Sequence, residues 1–97
     1  MKNGEVVTHV TKGNVFKDLG FDHDEAVNLK IRSDLMISLD RWVRSNGYTQ
    51  EKAAQLLGIG RSEVSNLRRG KVDLFSIDKL VLLCQKIGKT LKVVDVA

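Results

Sequence analysis

One stretch constrains this chain more than any other: Thr49 to Gly70, where two short helical segments are held apart by a three-residue turn, Gly58-Ile59-Gly60. Thr49 is a suitable N-cap, Glu51 sits in the first turn near the positive end of the helix dipole, and Gly58 ends the segment, which predicts a helix over Gln50–Leu57. A second helix is predicted from Arg61 to Arg69, stopped by Gly70. Gly58 permits the positive φ that turns the chain without a Cβ clash. Ala54 is small enough for the next helix to pass close over it, Ile59 fills the corner, and Val64 and Leu67 form an inner face. Two such helices crossing steeply leave the opposite side of the second, with Arg61, Ser62, Ser65, Asn66 and Arg69, polar and outward.

The rest of the chain is read around this pair. Leu35, Met36, Leu39, Trp42 and Val43 recur at helical spacing and predict one long helix over about Asp24 to Ser45, with Asn46-Gly47 as its stop. Ser76 caps a fourth helix, Ile77 to Ile87, whose Ile77, Leu80, Val81, Cys84 and Ile87 make one apolar stripe ending at Gly88. Thr90 to Val96 is β-prone and reads as a final strand. Residues 1–22 lack a helical period; Glu5 to Val10 has strand-forming residues, while Val15, Phe16, Leu19 and Phe21 are isolated apolar anchors. The expectation is therefore a mostly α fold of four to five helices, with a short strand at the C-terminus and a possible one at the N-terminus. Residues 1–22 form an N-terminal arm, which either binds a partner or pairs as a strand with Lys89 to Val96. Residues 23–97 form the main domain, with 89–96 and parts of the last helix as the expected dimer contact.

Composition narrows the function. With 97 residues there is room for one domain. The longest uninterrupted apolar run, Leu80 to Cys84, is far too short to cross a membrane, and the first five residues lack the apolar stretch of a secretory signal. A lone cysteine, Cys84, cannot form an internal disulfide, so a reducing cytoplasm is expected and a buried structural thiol is the favoured role. His9 and His23 have no metal-ligand spacing, and no nucleophile triad, phosphate loop or paired carboxylates emerge; neither enzyme, metal nor cofactor is expected. The net charge of +4 is mild, but its distribution is informative. Arg61, Arg68, Arg69 and Lys71 face the single acid Glu63, the local footprint of a phosphate-binding surface, whereas Asp18, Asp22, Asp24 and Glu25 have no basic residue among them.

The run from Thr49-Gln50 through Ala54, Gly58, Val64, Ser65 and Leu67 to Gly70 resembles the Cro/repressor-type (XRE) helix-turn-helix family. That resemblance implies a recognition helix lying in the DNA major groove. It further implies Gln50 as a phosphate contact that braces this helix, with Arg61, Ser62 and Asn66 reading bases. Ser65, Arg69 and Lys71 complete the expected DNA-binding set, with Arg61 suited to bidentate guanine readout or to a phosphate. Gly60 departs from the family pattern, which commonly has a capping Ser or Thr there. A second resemblance spans more of the chain: Asn14 to Phe21, the long helix, the motif, Gly70 to Ser76 and the β-prone tail look like HigA-type antitoxins. Those are paired with HigB-type toxins, small basic RelE-fold ribonucleases that cut messenger RNA. The likeness implies a cytoplasmic homodimer on an inverted-repeat operator, autorepression, and toxin capture by the N-terminal arm. A stand-alone phage- or plasmid-type regulator is the alternative.

Overall fold

The computed structural model describes residues 4–10 and 23–95. They form β1 (Glu5–Val10), α1 (His23–Asn46), α2 (Gln50–Leu57), α3 (Arg61–Arg68), a 3-10 turn (Val72–Leu74), α4 (Ile77–Lys86) and β2 (Thr90–Asp95). The four helices fall within a residue or so of the sequence expectation at each end. Arg69 is the C-cap of α3 rather than its last residue, and Ile87 is that of α4. The apolar anchors Val15, Phe16, Leu19 and Phe21 lie outside the described residues.

α1 ends where Gly47, at φ +67°, turns the chain; the N–H groups of Gly47 and Tyr48 donate back to the carbonyls of Arg44 and Val43. Its Leu35, Met36, Leu39 and Val43 are buried, and Ile31 joins them one turn earlier. They meet Leu57, Leu67, Phe75, Leu80, Leu83 and Cys84 in the main core, so α1 is the spine against which both the motif and α4 pack. A second, smaller cluster lies under the motif: Val43, Ala53, Ala54 and Val64. Trp42, half-buried, touches both clusters and meets Tyr48 edge-on with ring centroids 5.0 Å apart.

The N-terminal strand is present and pairs with the C-terminal one. β1 and β2 run parallel in register from Glu5 opposite Thr90 to Val10 opposite Asp95. Parallel neighbours require a long crossover, which here contains all four helices, so the sheet ties the two ends of the domain together. Val6 and Thr8 point inward and are buried. Val6 belongs to the main core with Leu91, its partner on β2, packed against the same cluster. The hydroxyl of Thr8 finds no hydrogen-bond partner among the described residues.

Candidate nucleic-acid interface

The two motif helices are built by their own local chemistry. The Thr49 hydroxyl accepts from the Lys52 N–H at 3.1 Å and starts α2. At its other end Gly58 adopts φ +72°, and the Ala54 carbonyl accepts from the N–H groups of both Gly58 (2.8 Å) and Ile59 (3.1 Å). An added Cβ at Gly58 would also lie 2.9 Å from Lys86 Nζ, which donates to the Leu57 carbonyl at 2.8 Å and so closes α2 from α4. Ala53, Ala54 and Leu57 of α2 are buried with Val64 and Leu67 of α3, and Ile59 packs at the corner between the two clusters.

α3 starts at Gly60, which has an extended N-cap conformation and no side chain to offer. Half of a capping box remains: the Glu63 carboxylate accepts from the Gly60 N–H at 3.1 Å. The other Glu63 oxygen lies 3.6 Å from Lys79 Nζ, a contact too exposed on both sides to contribute much. Packing, not capping, therefore fixes where α3 lies.

The sequence-selected residues occupy the following places. Gln50 opens α2 and is exposed; Arg61 and Ser62 open α3 and are exposed; Ser65 and Asn66 are half-buried in its middle; Arg69 and Lys71 are exposed just beyond its end. Positions 61, 62, 65, 66 and 69 follow the helical repeat, so they share the side of α3 opposite Val64 and Leu67. Lys71 belongs to the same end of the motif because its N–H donates to the Asn66 carbonyl at 3.1 Å. Gly70, at φ +73°, makes that return possible.

Arg68 stands apart from its basic neighbours. Its Nε donates to Asp40 Oδ1 on α1 at 3.1 Å, while Asp40 Oδ2 takes Arg44 Nε at 2.8 Å. The basic run at the end of α3 thus divides: Arg68 faces the protein, whereas Arg69 and Lys71 are exposed. Arg32 has a comparable role, since its Nη1 donates to the Val72 carbonyl at 2.8 Å and reaches that of Phe75 at 3.5 Å. It pins the turn that carries Lys71 to the spine helix. Sequence reasoning had no access to the cross-helix contacts of Asp40 and Arg32, whose partners there, Arg68 and Val72, lie 28 and 40 residues away. The Gly60–Glu63 contact had a visible signal, an acid three residues after an N-cap.

Cys84 is buried against α1, its Sγ 4.0 Å from the Leu35 carbonyl. Burial pushes its thiol up to about 11, opposed by the nearby positive charge of Lys89. It is a packing residue. Among the described residues no helix is long and apolar enough to cross a membrane.

Comparison with curated proteins finds no match. A family model described as a helix-turn-helix domain matches residues 15–94, which takes in all four helices and nearly all of β2. The match agrees with the packed pair α2–α3, its glycine corner and its outward polar face: the chain belongs to the helix-turn-helix domain family, whose hallmark is DNA binding in transcription regulation.

Proposed function

We propose that this protein is a sequence-specific transcriptional repressor that binds an inverted-repeat operator as a homodimer, and that it is the antitoxin of a type II toxin–antitoxin pair. The observation that carries the repressor reading is the outward side of α3. It offers one exposed guanidinium at the helix start (Arg61), short polar side chains in the middle, and exposed Arg69 and Lys71 at the end. That order suits base readout by the first turns and phosphate contact by the last. A single helix reads too few base pairs for useful specificity, so two copies on half-sites about one turn, roughly 34 Å, apart are required.

The antitoxin role is supported by the sequence likeness to HigA-type antitoxins. It is also supported by the acids at Asp18, Asp22, Asp24 and Glu25, which suit a small basic RelE-fold ribonuclease. Because Glu5–Val10 is part of the domain's own sheet, toxin capture in this reading falls to the remainder of the arm.

Footprinting on DNA upstream of the protein's own coding sequence tests the repressor reading. Arg61→Ala should cost about 1–3 kcal/mol per half-site and relax preference at one base position in each. Lys71→Ala should weaken all sequences alike and lower the salt slope by about 1.8 for the dimer, about 0.9 for each half-site. Parent-like binding by both variants would overturn the assignment of α3. For the antitoxin role, the full chain and a chain with Phe16, Leu19 and Phe21 changed to Ser are used to capture partners from the native cell. These substitutions leave β1 in place. A small basic ribonuclease held by the parent alone supports the pairing; recovery of promoter DNA alone with both makes the protein a stand-alone regulator.

A further inference from the structure

A concavity among the described residues lies between β1 and α1. It is lined by Val6 and Val7 of β1 and by Asp34, Ile37, Arg41 and Trp42 of α1, with a volume of about 570 Å³. Glu5 and Lys89 complete two acids and two bases around it, so its walls favour neither an anion nor a cation. What it does offer is the edge of β1 away from β2, with main-chain N–H and C=O groups and, among the described residues, no neighbouring strand, near a half-exposed Ile37 (51%). Such an edge takes up another strand.

We infer that the occupant is β1 of a second copy, pairing antiparallel about a two-fold axis at Val7 to give a four-stranded sheet β2-β1-β1-β2. The argument is one of self-complementarity. Residues directly opposite each other in an antiparallel pair share a face, so a symmetric pairing that keeps both sets of helices on one side must centre on a residue. Centring on Val7 sets Val7, 41% exposed, against the partner's Val7 and Val6 against the partner's Thr8. It also sets Glu5 against the partner's His9, twice per interface, and both side chains are exposed on the outer face with Val7. Centring on Val6 instead would oppose Glu5 to Val7.

The free edge of β2 is the rival, and its sequence pairs poorly with itself. Centred on Val93 it opposes Lys92 to Val94 and Leu91 to Asp95; centred on Lys92 it sets lysine against lysine. The contact expected from sequence on Lys89–Val96 is therefore moved to the other strand of the same sheet. This inference rests on the homodimer of the proposed function and names its interface.

Sedimentation equilibrium of the full chain without DNA tests it, separately from operator recognition. The parent should dimerise, and Val7→Lys should weaken the dimer about tenfold or more by placing like charges on the axis. Val93→Lys should leave it unchanged. Glu5→Lys and His9→Glu should each weaken it a few-fold, and the double variant, with the charges exchanged, should recover most of the loss. Thermal melts control for folding, because Val7→Lys also stands beside Lys92, its register partner on β2; Val7→Glu, which faces that lysine favourably yet still puts like charges on the axis, should weaken the dimer as much. A parent that stays monomeric overturns the inference. So does a dimer that survives Val7→Lys, one that breaks with Val93→Lys, or a double variant no better than its singles. If the dimer behaves as stated while footprinting fails, the interface stands and the repressor reading falls.

Discussion

Asp40 offers a quantitative handle on how the recognition helix is held. Its carboxylate serves two guanidinium groups, Arg68 of α3 at 3.1 Å and Arg44 of its own helix at 2.8 Å. Arg44 is 66% exposed and one turn away, so that pair contributes only about 0.3–0.5 kcal/mol. Arg68 and Asp40 are 32% and 21% exposed, which places their pair at the upper end for solvent-screened contacts, about 1 kcal/mol. Asp40→Ala should then cost about 1–1.5 kcal/mol in all and lower Tm by roughly 4–8 °C per kcal/mol for a domain of this size. Urea unfolding of Asp40→Ala, Arg68→Ala and the double variant isolates the cross-helix pair, because the cycle cancels the packing lost with the Arg68 stem. The expected coupling is about 1 kcal/mol, against about 0.3 kcal/mol for the same cycle with Arg44. In operator binding, Arg68→Ala should keep the parent's salt slope, since this guanidinium is committed to Asp40. A coupling near zero, together with a slope lowered by about 1.8 (about 0.9 for each half-site), would refute the reasoning and return Arg68 to the phosphates.

Cys84 and Gly60 extend the test to pH and to capping. Because burial raises the Cys84 thiol from 9.0 to about 11, the unfolded chain loses this proton first as pH rises. Stability should fall between about pH 9 and 11, by at most about 2–3 kcal/mol, and level off above the folded value. Urea midpoints of Cys84→Ala should lack that part of the decline, and a parallel loss in both proteins would remove the thiol from the explanation. Gly60→Ser should raise stability by a few tenths of a kcal/mol by supplying the missing N-cap oxygen. There is room for it: an added Cβ meets nothing closer than Glu63 Oε1 at 3.9 Å, and Gly60 has negative φ. A fall in Tm would mean that the Glu63 contact to the Gly60 N–H already does the capping.

What the sequence determined by itself is what acts over a few residues. Thr49 and Ser76 start their helices with 3.1 Å side-chain caps, Gly47, Gly58, Gly70 and Gly88 turn the chain at positive φ, and Val64 and Leu67 choose the buried side of α3. Each of these depends on local torsions or on helical period, so the positions that form the outward face could be named before any tertiary contact was known. Tertiary structure alone decided which charges remain for a partner. Arg68 and Arg69 are adjacent and both basic, yet one is spent on Asp40 of α1 while the other is exposed. The same holds for Arg32 on the Val72 carbonyl, for Lys86 on that of Leu57, and for the parallel pairing of the two chain ends. These contacts join residues from 28 to 85 positions apart, counting from Asp40–Arg68 to β1–β2. No local pattern encodes such a meeting; it exists only once the apolar faces of α1, α4 and the motif have packed together and brought the charges within reach.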